Sequence, residues 1–407
     1  MSETLETSPQ RIAVKLKSAA ERMIRKGHPW VFNESITKES AAPNSGDLAI
    51  IYDHRTNKLL AIGLFDCESP IRIKIIHFGG GAQINDDWFL EKVTKAYGLR
   101  EDLLKTDTDS YRLLFGEADG LPGVICDVYA GITVLKIYSA AWLPYKEQLC
   151  NAIIAVINPE TIVLRLSRSL KKEEFKHLVN EGDVLHGELK SEEVIFKEHG
   201  VKFQTNVIHG HKTGFFLDHR ENRKKVGEMS KGKTVLDVFS YAGGFSVHAL
   251  AGGSERVLSL DISEPALELA KINAGLNEYN GFHEVFRGDA FRALDKMVES
   301  EEKFDIVIID PPSFAKQKTE VDNAIIQYAR LAKLGAELVN PEGILLLASC
   351  SSRVSSDLFF DTVEYELSDS HLEFEFIDKQ YHDIDHPTKQ SFPEGRYLKC
   401  GYYQRTS

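Results

Sequence analysis

The chain has 407 residues, of which 43% are hydrophobic and 27% charged. That length exceeds one ordinary core and predicts two or three globular domains. No uninterrupted apolar run approaches the roughly 20 residues of a membrane helix, so no membrane association is expected. Residues 1–10 are polar and acidic, with no apolar h-region, so no secretory signal is expected either. The net charge of −12 works against general nucleic-acid binding, because neutralising phosphates takes Lys and Arg.

Five cysteines (Cys67, Cys126, Cys150, Cys350 and Cys400) are scattered without a C-x-x-C pair. This suits a reducing cytoplasm and argues against a disulfide framework or zinc cage. His209-Gly210-His211 lacks further ligands at metal spacing, so no metal is expected. Charge distribution tempers the net charge. Arg11, Lys15, Lys17, Arg22, Arg25 and Lys26 stand against Glu21 alone, and a second basic stretch covers 209–233. Either is a basic patch for RNA or a solvated helix surface.

In chain order, residues 12–79 read as a small, mostly β module. A basic helix-like stretch at 15–26 is followed by strands at 48–52, 59–65 and 71–78. The run Gly79-Gly80-Gly81 is a natural boundary. Residues 83–105 have helical spacing. A second α/β segment follows over 107–190, with strands at 111–115, 124–128, 132–137, 161–166 and 183–187 and a helix at 144–156. From about 195, strands at 234–239, 256–261, 282–287, 305–310 and 343–349 alternate with helices, which signals a parallel, helix-covered sheet. Two last strands, at 371–377 and 396–403, predict a closing antiparallel hairpin.

The strand ending at Phe239 runs into Ser240-Tyr241-Ala242-Gly243-Gly244-Phe245-Ser246 and a helix. Glycines at such a turn let the backbone approach a ligand at a helix N-terminus. The spacing is not that of a dinucleotide fingerprint, which weakens a dehydrogenase reading. Asp237, inside the strand, suits a ligand with a positive amino-acid head. Asp261, 24 residues later and followed by Ile262, is placed to accept ribose hydroxyls. Asp289, beside Ala290, follows the third strand and is placed for an adenine amino group. The ordered set describes an S-adenosylmethionine site; the alternative for each Asp is a strand end or helix cap.

Two further strands end in Asp310-Pro311-Pro312-Ser313-Phe314 and in Ser349-Cys350-Ser351-Ser352. As parallel neighbours they would bring a thiol and a carboxylate to one sheet edge. Cytosine C5 is a poor nucleophile until a thiolate adds at C6, so a Cys beside a methyl donor suits C5 methylation. Asp310 would grip the N3/N4 edge, Phe314 would stack on an unstacked base, and the serines would hydrogen-bond the thiolate. Two alternatives stay open. Cys350 also reads as a small core residue, and Asp-Pro-Pro loops also serve amino-methylating enzymes that use no Cys.

Several longer segments carry a resemblance: Gly27-His28-Pro29-Trp30-Val31-Phe32, the run 115–123 (FGEADGLPG), the run 211–220 (HKTGFFLDHR), the run 239–245 (FSYAGGF), Asp310-Pro311-Pro312-Ser313-Phe314, Ser349-Cys350-Ser351, and Asp385-His386-Pro387 with Pro393-Glu394-Gly395. Over essentially its whole length the chain resembles bacterial 23S rRNA cytosine-C5 methyltransferases of the RlmI (YccW) type. The resemblance implies a PUA domain (10–79), a central α/β domain (80–190) and a Rossmann-like class I methyltransferase domain (191–407). It implies S-adenosylmethionine as cofactor, Cys350 as nucleophile and Asp310 as a carboxylate at both base and cofactor. Thr213, Phe216, Asp218 and Arg220 would join Asp237, Phe239, Tyr241, Gly243, Gly244, Asp261, Ile262, Asp289 and Ala290 in the cofactor pocket.

Large-subunit rRNA would be met by Lys15, Arg22 and Lys26 and by Pro311, Pro312 and Phe314. A homodimer is compatible with this reading. Many RNA cytosine-C5 enzymes have a second Cys where this chain has its proline pair, which leaves the base for the C5 proton unassigned. Two other readings remain: methylation of a guanine or adenine through the Asp-Pro-Pro loop, and an RNA-binding protein that keeps the cofactor fold only as scaffold.

Overall fold

The structure, a computed structural model, describes residues 9–172 and 175–406. Most of the acidic start, read above as lacking a secretory signal, lies outside the described residues. No described helix is long and apolar enough to cross a membrane. The chain forms two compact units. The first runs to Val194 and adds Thr205–Phe215 and Ile384–Gly395; the second holds Ile195–Gln204, Phe216–Asp383 and the residues from Arg396 onward.

The first unit opens with a six-stranded sheet of β1 (Arg11–Leu16), β2 (Trp30–Val31), β3 (Ile36–Glu39), β4 (Leu48–Tyr52), β5 (Leu59–Phe65) and β6 (Ile73–Phe78), in the order β2-β6-β5-β4-β1-β3. Helix α1 (Ser18–Arg25) is shorter than the predicted basic helix. The difference lies in β1, where Ile12, Val14 and Leu16 are buried in alternation with more exposed neighbours. That period of two is a strand's, and the interleaved Arg and Lys disguise it as a charge run.

Next come α2 (Asp86–Gly98), α3 (Glu101–Leu104), β7 (Ser110–Phe115), α4 (Gly116–Asp119), β8 (Val124–Tyr129), β9 (Ile132–Ile137), α5 (Lys146–Ile157), β10 (Thr161–Leu166) and β11 (Val184–Gly187). Their sheet has the order β11-β10-β9-β8-β7. Only β9 and β10 pair in parallel, and α5 supplies the crossover between them. Pro144, which cannot donate inside a helix, sits in the 3-10 turn Ala140–Tyr145 just before α5.

Buried charges join this unit. Arg100, fully buried, forms a two-pronged pair with Asp119 and also donates to the Asp385 carbonyl. Arg112 pairs in the same way with Asp127 at 2.8 Å, while its backbone N–H donates to the Asp385 carboxylate. Thr213 Oγ1 donates to Asp127, and Trp30 Nε1 donates to Glu117 at 2.9 Å. Several segments that carry the resemblance therefore meet as joints of this unit. Asp127→Ala would leave the Arg112 guanidinium without its carboxylate, and breaking a buried pair from one side costs about 3–5 kcal/mol. Urea unfolding should show a loss of that size.

A hairpin of β12 (Glu193–Glu198) and β13 (Val201–Asn206), not foreseen from the sequence, leads into the rest of the chain. The second unit contains α6 (Arg220–Met229), β14 (Thr234–Val238), α7 (Gly244–Ala251), β15 (Arg256–Asp261), α8 (Glu264–Gly275), β16 (Phe282–Arg287), α9 (Ala290–Glu299), β17 (Phe304–Ile309), α10 (Val321–Leu338), β18 (Val339–Ser349), α11 (Ser356–Ser368), β19 (Phe374–Gln380) and β20 (Lys399–Arg405). Its seven strands are ordered β16-β15-β14-β17-β18-β20-β19. Neighbours from β16 to β18 are parallel, and β20 is antiparallel to both β18 and β19.

β14 and β17 are buried almost throughout because helices cover both faces. Between them the order reverses direction. At such a point the loops leaving the two strands diverge and open a crevice at the carboxyl edge.

Candidate active site

The crevice is floored by Asp237, the fourth residue of β14 and fully buried. Its Oδ2 accepts from the backbone N–H of Ser246 at 3.0 Å and from the Ser246 hydroxyl at 2.6 Å. Because Ser246 donates there, it accepts from Ser259, whose hydroxyl in turn accepts from His283 Nε2 at 2.9 Å. Oδ1 has no hydrogen-bond partner among the described residues. Burial pushes this carboxyl up to about 7, opposed by the Ser246 bonds and helped by the charges of Asp310 and Asp261. A buried acceptor left open, on a carboxylate poised between charge states, fits a ligand ammonium.

Above it, Phe239, Tyr241 and Gly243 all have positive φ (65°, 47° and 74°). For the two aromatics this is a sparsely populated conformation, costing on the order of 1–3 kcal/mol each. Asp261 holds the loop in place, accepting from the Tyr241 N–H at 2.9 Å and the Ser263 N–H at 2.8 Å. Phe216 meets Tyr241 edge to face, with ring centroids 5.3 Å apart. Ile262, next to Asp261, is 69% exposed.

The other expected pocket residues are placed as follows. Asp289 is exposed and caps α9 through the Arg292 N–H at 3.0 Å, with Ala290 buried behind it. Asp218 accepts from the Tyr397 hydroxyl at 2.8 Å, and Arg220 is fully buried at the start of α6. Thr213 is buried in the first unit, on Asp127 and beside the Tyr129 hydroxyl.

β17 and β18 are parallel neighbours, with Ile309 opposite Leu347. Asp310 and Cys350 therefore emerge from adjacent strands, and Cys350 Sγ lies 3.7 Å from the Pro311 carbonyl. Both side chains are partly exposed, as reacting groups must be. Phe314 packs edge to face on Tyr328, centroids 5.2 Å apart, so its ring is partly committed to the core; Pro312 is exposed and Pro311 buried. Among the described residues the expected serines are engaged away from the thiol or exposed. Ser349 bonds Tyr328, Ser351 donates to the Ala315 carbonyl, and Ser352 is exposed.

One group was missed. His219, buried between Asp218 and Arg220, places Nε2 3.4 Å from Asp310 Oδ2. Its Nδ1 accepts from the Asn222 amide at 3.0 Å, so a neutral ring carries its proton on Nε2, which faces the Asp310 carboxylate at ion-pair distance without forming a hydrogen bond. Tyr402 completes the chain by donating to Asn222 Oδ1 at 2.8 Å. Burial pulls the imidazole down, but Asp310 and Asp218 outweigh it and raise His219 above the usual histidine value. The signal in the sequence was its position in a run already singled out.

A parallel sheet with this strand order, carrying an acidic series and a strained glycine loop at its carboxyl edge, defines a class I S-adenosylmethionine-dependent methyltransferase. The sequence model of that methyltransferase family matches residues 178–388, and the model of the PUA-like domain matches 14–78. A protein of Deinococcus radiodurans named ribosomal RNA large subunit methyltransferase is 39% identical over 98% of both chains. Ribosomal RNA large subunit methyltransferase I of Aliivibrio fischeri is 35% identical over 95% of this chain and 98% of its own. The chain belongs to this ribosomal RNA large subunit methyltransferase I family.

Among solved structures, the methyltransferase SMU.776, complexed with SAH, aligns with a TM-score of 0.81 at 20% identity, covering 97% of this chain and all of its own. A SAM-dependent methyltransferase from Streptococcus mutans aligns at 0.80, also 20% identical, covering 96% and 99%. Both show the same fold.

Proposed function

We propose that this chain methylates C5 of a cytidine in large-subunit ribosomal RNA, with Cys350 as the nucleophile that activates the base. The observation that carries the reading is the thiol of Cys350 beside the Asp310-Pro311-Pro312 loop at the carboxyl edge of the sheet. The names of the full-length relatives point to the same substrate.

S-adenosylmethionine, when bound, would supply the methyl group from its sulfonium, the S–CH3 bond breaking and S-adenosylhomocysteine leaving. Asp237 Oδ1 would pair with its ammonium and Asp261 with its ribose, while Phe216, Tyr241 and Ile262 enclose its apolar parts. Asp218, Arg220 and Asp289 would support the pocket walls, while Thr213 is engaged inside the first unit on Asp127. Cys350 Sγ bonds to C6 of the cytosine, which gives C5 the electron density to form a new C–C bond. Asp310 holds the N3/N4 edge, and its contact with His219 keeps that carboxylate oriented. Loss of the C5 proton lets the C6–S bond break and returns the thiolate.

Arg22 and Lys26 of the PUA-like module, both exposed, would hold RNA phosphates. Lys15 would add only charge, since its ammonium already donates to the Asp53 carbonyl and Asn57. The division into 10–79, 80–190 and 191–407 follows these roles, and such a reaction belongs in the cytoplasm.

The test is transfer of a labelled methyl group to total rRNA that lacks the modification, followed by nucleoside analysis. Label is expected in 5-methylcytidine. Label in a methylated guanosine or adenosine instead would sink the reading.

A further inference from the structure

We propose that Lys399 is the positioning cation for Cys350: its buried ammonium fixes the loop after β18 and stabilises the thiolate. The inference deepens the function proposed above and rests on Cys350 being the nucleophile.

Lys399 opens β20, where it pairs with Ser349, the residue before Cys350. It is fully buried. Its Nζ donates to the Ser351 carbonyl at 2.5 Å and to the Val354 carbonyl at 2.8 Å, clamping the segment that carries the thiol. No carboxylate pairs with it among the described residues. An ammonium taken out of water needs a counter-charge or loses its proton. The two carbonyls supply only dipoles, and charge on Cys350 opposes its deprotonation.

The groups around the thiol settle which way the electrostatics run. The Asp310 carboxyl lies beyond β17 against the buried His219, while Tyr328 on α10 is buried and held in its neutral form, its hydroxyl turned to Ser349. Arg353, further along the same loop, is exposed and screened by solvent. Ser349 and Ser351 are engaged elsewhere and Ser352 is exposed, and Lys399 puts a buried positive charge on the loop that carries the thiol. Burial lowers Lys399 to about 8, so it still carries its proton at neutral pH. A thiolate next to a buried ammonium is the arrangement that makes a cysteine reactive near pH 7.

The test titrates Cys350 in the full-length chain by its rate of alkylation with iodoacetamide, read peptide by peptide to separate it from the other four cysteines. In the unaltered protein the midpoint should lie below the roughly 8.5 of a free cysteine. Lys399→Met keeps the stem and removes the charge. Its midpoint should rise by about one unit, slowing alkylation at pH 7 about tenfold, while Lys399→Arg keeps most of the effect.

A midpoint at or above the free-cysteine value in the unaltered protein overturns the proposal even where Lys399→Met fails to fold. So does an unchanged midpoint in a Lys399→Met protein that folds and still binds cofactor. Neither result depends on methyl transfer. Persistence of methylation in a Cys350→Ala variant would instead refute the nucleophile assignment while leaving the measured lysine–thiol coupling in place.

Discussion

Cys350→Ala is expected to abolish methyl transfer to RNA while leaving cofactor affinity close to that of the unaltered protein. The thiol stands 3.7 Å from the Pro311 carbonyl and not among the groups on Asp237 or Asp261, so its loss removes chemistry rather than binding. Removing a covalent nucleophile costs on the order of 10⁴-fold or more, because no neighbouring group supplies the adduct. Two measurements check this: labelled methyl counts on rRNA, and a calorimetric titration with cofactor.

RNA carrying 5-fluorocytidine gives a sharper version. Fluorine at C5 cannot leave as a proton does, so the adduct should persist as a denaturation-resistant complex. That complex should form with Cys350 present and be missing in Cys350→Ala. If Cys350→Ala retained methylation within about tenfold, the Asp310-Pro311-Pro312 loop would be working alone, as expected for an exocyclic or ring nitrogen.

What the sequence could reveal followed from where the physics is local. β14, β17 and β18 are buried on both faces, so each reads as an apolar run bounded by turn residues. The strands leading to the Asp-Pro-Pro and Ser-Cys-Ser segments were therefore legible, while their adjacency was a supposition until the register of β17 with β18 showed it. β1 was misassigned because charged residues occupy its outward positions, and β12–β13 lacks an apolar alternation strong enough to stand out.

The site's support was less legible still. Lys399 and His219 act through burial, and a buried charge looks the same in sequence as a solvated one. The run containing Glu117 and Asp119, and the Asp385-His386 pair, showed the opposite ambiguity. They are the most distinctive segments of the chain, yet in the structure Asp119 and Asp385 hold Arg100 and Arg112 inside the first unit. Distinctiveness in a sequence cannot separate a joint from a reacting group.

Asp237→Asn is expected to weaken S-adenosylmethionine binding about 10- to 100-fold, the equivalent of a charge-assisted hydrogen bond of roughly 1.5–3 kcal/mol. The substitution keeps size and leaves an oxygen to accept from Ser246, but it removes the charge that the open Oδ1 would offer an ammonium. The pH dependence gives an independent check. Burial raises the Asp237 carboxyl to about 7 in the folded chain, against about 3.9 when unfolded.

The sign follows. Between those two values the folded state holds a proton that the unfolded state has released, so this group favours folding at low pH. Its contribution is lost as pH rises toward 7. Cofactor binding runs the other way, because an ammonium pairs with the ionised carboxylate. Affinity should therefore fall as pH drops below about 7, by at most tenfold per unit, and should flatten above it. In Asp237→Asn that slope should disappear. A titration series in which Asp237→Asn binds as tightly as the unaltered chain, with the pH slope intact, would move the cofactor's positive head to another carboxylate, with Asp310 the next to test.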